Sequence, residues 1–75
     1  MITKREKEIL FDAEKNIFEL RETIKGRGRE LTRAEFASLV SGFLNGVAFA
    51  FNTLDIEVSE DFEEEVIALM DRIID

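Results

Sequence analysis

Leu31-Thr32-Arg33-Ala34-Glu35-Phe36 is the stretch whose reading decides the fold. Thr32 and Glu35 stand at the spacing of a capping box, in which the hydroxyl accepts from a free backbone amide and the carboxylate reaches back to the cap residue's own amide. Leu31 and Phe36 stand at the offsets of a hydrophobic staple across the same helix start. A start specified twice predicts a helix from about residue 33 to 54, roughly 33 Å long at 1.5 Å per residue. The chain has no proline to break it. One signal competes. Asn45-Gly46 is a favoured hairpin turn, and Val47-Ala48-Phe49-Ala50-Phe51 alternates large and small residues. The double cap, and the lack of alternation from Phe36 to Leu44, favour the helix.

A second capping box, Thr3 with Glu6, lies near the amino end. After it, Leu10, Ala13, Ile17, Leu20 and Ile24 recur at spacings of three and four, which places them on one helical stripe. Ile9, Phe11 and Phe18 flank that stripe. Gly26 and Gly28 end the helix, because glycine readily takes the left-handed conformation at a helix C-terminus. Toward the other end, Ser59 is a good N-cap residue. Glu60 and Asp61 follow where negative charge opposes the helix dipole. Phe62, Val66, Leu69, Met70 and Ile73 supply an apolar face. The expectation is an all-α single domain over residues 1–75, with helices at about 4–25, 33–54 and 60–74. The first two should form an antiparallel hairpin on which the third packs.

Composition removes whole classes of chemistry. Without cysteine or histidine there is no disulfide, no Cys/His zinc site, no thiol nucleophile and no imidazole base. A calcium loop starting at Asp55 fails, since Glu60 stands where glycine is needed and Val66 where the bidentate glutamate belongs. No catalytic residue, cofactor or metal is expected, and the chain is not read as an enzyme. Its net charge is −7, and from Phe36 onward Arg72 is the only base. Nucleic acid is therefore not an expected partner. Met1 leads directly into a charged segment rather than a signal peptide, so a cytoplasmic site is expected.

Between Glu35 and Asp55 there is no charged residue. Ser38, Gly42, Gly46 and Ala50 fall four apart, a spacing that lets two helix backbones approach closely. Three readings follow: close packing inside the monomer, contact with a second copy or partner, and a membrane span. Ser38, Ser41, Asn45, Asn52 and Thr53 oppose the span. A small chain gains least stability from its own core, so a homodimer is expected through Ser38, Gly42, Gly46, Phe49 and Ala50.

Two charged surfaces complete the reading. Lys25, Arg27, Arg29 and Arg33 gather at the start of the middle helix, where an anion or acidic partner would be favoured. The plainer reading is a solvated turn whose arginines pair with Glu30, Glu35 or the acids of the third helix. Glu60, Asp61, Glu63 and Glu64 offer an acidic face to a basic partner. Leu31 to Val40 resembles the first helix of a helix-turn-helix unit, but the recognition helix would then be Phe43 to Phe49, which has no arginine or lysine. The functional expectation is a small acidic helical module that regulates or inhibits a larger protein, of a kind plausible for phages and mobile elements. The alternative is a nucleic-acid-associated accessory protein using Arg27, Arg29 and Arg33.

Overall fold

The computed structural model describes residues 1–75 and contains three helices: α1 (Lys4–Gly26), α2 (Arg33–Thr53) and α3 (Phe62–Ile74). There is no strand, and Asn45-Gly46 lies within α2. Neighbouring side chains give the topology. Phe18 meets Phe36 at 6.1 Å between ring centroids, and Ile9 shares a groove with Phe51, so α1 and α2 run antiparallel. Phe51 meets Phe62 edge to face at 5.5 Å, and α3 turns back along α2 from there. Arg72 Nη2 donates to Glu14 Oε1 at 2.8 Å, which joins α3 to α1.

Both capping boxes form. Thr3 Oγ1 accepts from the Glu6 amide and Glu6 Oε1 from the Thr3 amide, and Thr32 and Glu35 repeat the pattern. The ends of α1 and α2 are matched structures. The Gly28 amide donates to the Lys25 carbonyl and the Arg29 amide to the Ile24 carbonyl. The Asp55 amide donates to Asn52 and the Ile56 amide to Phe51 in the same register. Each is a Schellman closure, which needs a left-handed residue just past the helix. Gly28 fills that position with φ +88°, and Asp55 fills it with φ +59°.

The start of α3 departs from the sequence reading. Ser59 does not cap it; the helix begins two residues later than expected, at Phe62, and its N-cap Asp61 makes no side-chain cap bond. The Ser59 side chain is turned to another partner instead. Ser59 donates twice to the Glu6 carboxylate, from its amide at 2.8 Å and its hydroxyl at 2.6 Å. Hydrogen bonds to an ionised group are roughly twice as strong as neutral ones.

The core joins Leu10, Ala13 and Ile17 of α1, Val40 and Leu44 of α2, and Phe62, Val66, Leu69 and Ile73 of α3. It is small: ten of 75 residues are buried. The tenth is Glu6, whose residue is 7% exposed. With three donors on its carboxylate, Glu6 closes α1's own cap and ties it to the entrance of α3. The Ser59 hydroxyl, then the Thr3 and Ser59 amides, hold its pKa down to about 2 from an ordinary 4.5. A carboxylate with a depressed folded-state pKa stabilises the fold fully above its unfolded pKa and loses that contribution as pH falls toward the folded value. Glu6→Gln should therefore melt below the unaltered protein at neutral pH. The gap should narrow as pH drops from about 4.5 to about 2, read by circular dichroism at a series of pH values.

Candidate interaction surfaces

The outer face of α2 is uncharged and uncovered. Ser38, Gly42, Gly46, Phe49 and Ala50 are all exposed, Phe49 at 69%. A methyl group placed on Gly42 or Gly46 would meet nothing within 4 Å. Close packing of this stripe inside the monomer is thereby overturned: α1 and α3 both lie on the opposite side of the helix, against Val40 and Leu44. By length and composition α2 is also apolar enough to cross a membrane.

The basic turn is diluted by acids. Lys25, Arg27, Arg29 and Arg33 are all exposed. Arg29 pairs with Glu35, the capping glutamate of α2. The Thr32 amide, with help from Arg29, holds the Glu35 carboxyl below the usual range. Lys25 lines a shallow groove of about 200 Å³ together with Arg21, Glu22, Glu30 and Leu31. Arg21 itself lies over the rings of Phe18 and Phe36, 4.8 and 4.9 Å from their centroids. Such cation–π contacts add to the α1–α2 packing.

The acidic residues gather at the opposite pole. Glu60, Glu63 and Glu64 are exposed, and Asp61 is paired with the terminal ammonium of Met1. Between them and α2 lies a feature the sequence reading did not single out. Leu54 is 69% exposed and Ile56 47% exposed, on either side of Asp55. Phe51, Ile56 and Val58 line two adjoining grooves. One, of about 610 Å³, reaches Arg5 and Ile9 of α1; the other, of about 340 Å³, reaches Phe49 and Glu63. The signal available was Asp55 itself, the first charge after the uncharged run, standing where glycine is usual.

No group of three or more acidic side chains is placed to hold a metal ion. Comparison with protein-family models, with curated proteins and with solved structures found no match to this chain.

Asp55 is costly where it stands. A left-handed backbone disfavours a residue with a side chain by about 1–2 kcal/mol, less for aspartate, and a negative charge at a helix C-terminus opposes the dipole by about 0.3–1 kcal/mol. Asp55→Gly should stabilise the monomer by about 1 kcal/mol after the added flexibility of the unfolded chain is deducted, measured by urea titration.

Proposed function

We propose that this chain is a small helical protein-binding module that works as a homodimer joined through the outer face of α2. Its role on this reading is to regulate or inhibit a larger protein rather than to catalyse a reaction. The observation that carries it is the uncovered stripe of Ser38, Gly42, Gly46 and Ala50 on a helix with no charge from Phe36 to Leu54.

Surface area supports the same reading. The chain exposes 5599 Å², whereas a monomeric protein of its mass exposes about 4,700 Å². The excess is about 900 Å², close to the ~800 Å² that each partner contributes to a standard interface. Removing that surface from water is the dominant favourable term in association. A second copy brings an identical uncharged face, so no like charges are pressed together on a chain of net charge −7.

Two alternatives draw less support. A membrane-spanning α2 would have to withdraw Val40 and Leu44 from the core they share with Ile17 and Phe62. It would also carry Asn45 and Asn52 into hydrocarbon, where an unpaired polar group is costly. A nucleic-acid role would rest on Arg27, Arg29 and Arg33, and Arg29 is already engaged by Glu35.

Light scattering coupled to gel filtration should give twice the chain mass of 8.6 kDa at micromolar concentration. Gly46→Leu adds a side chain at an exposed position whose Cβ meets nothing in the monomer, but it would hold two backbones apart. It should give a folded species of single-chain mass. A monomeric unaltered protein, or a Gly46→Leu variant that still pairs, would remove the stripe as the contact.

A further inference from the structure

The groove of about 610 Å³ between the start of α1 and the connection into α3 has no part in the dimer contact, and Ser38, Gly42 and Gly46 do not line it. Its apolar wall joins three elements: Ile9 of α1, Phe51 of α2, and Ile56 and Val58 of the connection. The Schellman closure of α2 accounts for part of this, since the second residue past such a cap commonly packs on the helix's last turn. It does not account for the openness. Ile56 stays exposed, and so does Leu54, which follows Phe51 by three residues and falls on the same side of α2.

The rim of this apolar groove is acidic. Leu54, Ile56 and Val58 alternate with Asp55 and Glu57, and neither acid has an ion-pair partner. The Glu6 carboxylate lines the floor. α2 also ends here, with the negative end of its dipole and no base in its last turn. Arg5 is the one base that lines the groove, and Glu8 pairs with it. Lys4 and Lys7 line a separate groove beside Phe11. An occupant must therefore be apolar against Ile9, Phe51 and Ile56, and positive against Asp55 and Glu57.

A second copy fits poorly. Seated by the same groove, it would press Asp55 and Glu57 against their like. Seated by its basic turn, Lys25 to Arg33, it would offer Leu31 as the only large apolar side chain, beside two glycines. The backbone form of the occupant follows from what the surface lacks. There is no strand edge for an extended peptide to join. Phe51 is the only ring in the groove, too few for a proline-rich segment. A helix satisfies its own backbone groups and needs only side-chain contacts.

Resting on the protein-binding reading above but not on its dimer, we propose that this groove receives a basic amphipathic helix of the regulated protein. Its apolar side chains lie against Ile9, Phe51 and Ile56, and its lysines or arginines meet Asp55, Glu57 and the carbonyl end of α2.

The probe is a synthetic peptide of about 18 residues, five helical turns, with leucine at i, i+3, i+4 and i+7 and lysine between. It is titrated into the full isotope-labelled chain while amide resonances are followed. Saturable shifts should gather at Arg5 to Ile9 and at Phe51 to Ser59. A peptide of the same composition in scrambled order, and one with glutamate for lysine, should each bind about tenfold more weakly or worse. Leu54→Ser and Glu57→Lys, both at exposed positions, should each weaken binding by about tenfold. Gly46→Leu should leave it unchanged. Equal binding of the scrambled peptide would reduce the contact to charge alone and overturn the inference. So would shifts centred on Glu63 to Glu65 or on the α2 stripe, which would leave a protein-binding chain with its site elsewhere. No saturable shift with any peptide would overturn the groove and the protein-binding reading together, leaving the dimer to its own mass measurement. Should Leu54→Ser turn a dimer into single chains, the occupant is a second copy and the inference falls.

Discussion

The structure turns on one constraint: two neighbouring helices cannot cover a helix that is uncharged all the way round. α1 and α3 both settle on the side of α2 that presents Val40, Leu44 and Phe51. Their own outer faces carry the charges that water requires. Neither these two helices nor the short connections between the elements cover the opposite side of α2. The bare stripe therefore follows from an uncharged helix that has neighbours on one side only. Longer domains cover such a helix internally, whereas a 75-residue chain has surface to spare and little core.

Within that limit the fold is held together by an economical use of polar groups. Glu6 is the clearest case. A helix-capping carboxylate normally serves its own helix, as Glu35 does at the start of α2. Glu6 serves two, because the connection into α3 brings the Ser59 amide and hydroxyl to the same carboxylate. A buried carboxylate without such donors would destabilise the fold strongly. With them it fixes where α3 begins, which in turn sets Phe62 against Phe51. The Glu14–Arg72 pair, more exposed, adds less at the other end of the same α1–α3 seam.

Local chemistry made the helices legible before their packing was known. Both threonine–glutamate boxes, the glycine end of α1 and the apolar spacing of α1 and α3 are short-range signals, and each was realised. The hairpin suggested by Asn45-Gly46 lost to the doubly specified start at Thr32, because a helix once begun adds a hydrogen bond with each residue. What escaped the sequence was long-range. Ser59 reads as a cap because its spacing to Phe62 is local, but its partner Glu6 lies 53 residues away. Leu20 belongs to the apolar stripe of α1 by spacing, yet it stands partly open while Ile17, one turn earlier, is fully buried. Phe11 and Leu54 are exposed for the same kind of reason: periodicity names a face but not the reach of the elements that cover it. The stripe of small residues was visible as a pattern, and only the packing showed which side of α2 it occupies.

Several features of α2 oppose the stability of an isolated chain. Exposed glycines at 42 and 46 each cost a helix about 1 kcal/mol relative to alanine, with no neighbour that demands their small size. Asp55 holds a backbone conformation suited to glycine and adds charge of the wrong sign at a helix end. In a domain with nine apolar residues in its core, such losses are a large share of a net stability of a few kcal/mol. They fall at two places on α2, its outer face and its C-terminal end. On the dimer proposed above, part of these losses would be relieved by association. The chain's folding free energy and its protomer concentration are then linked quantities.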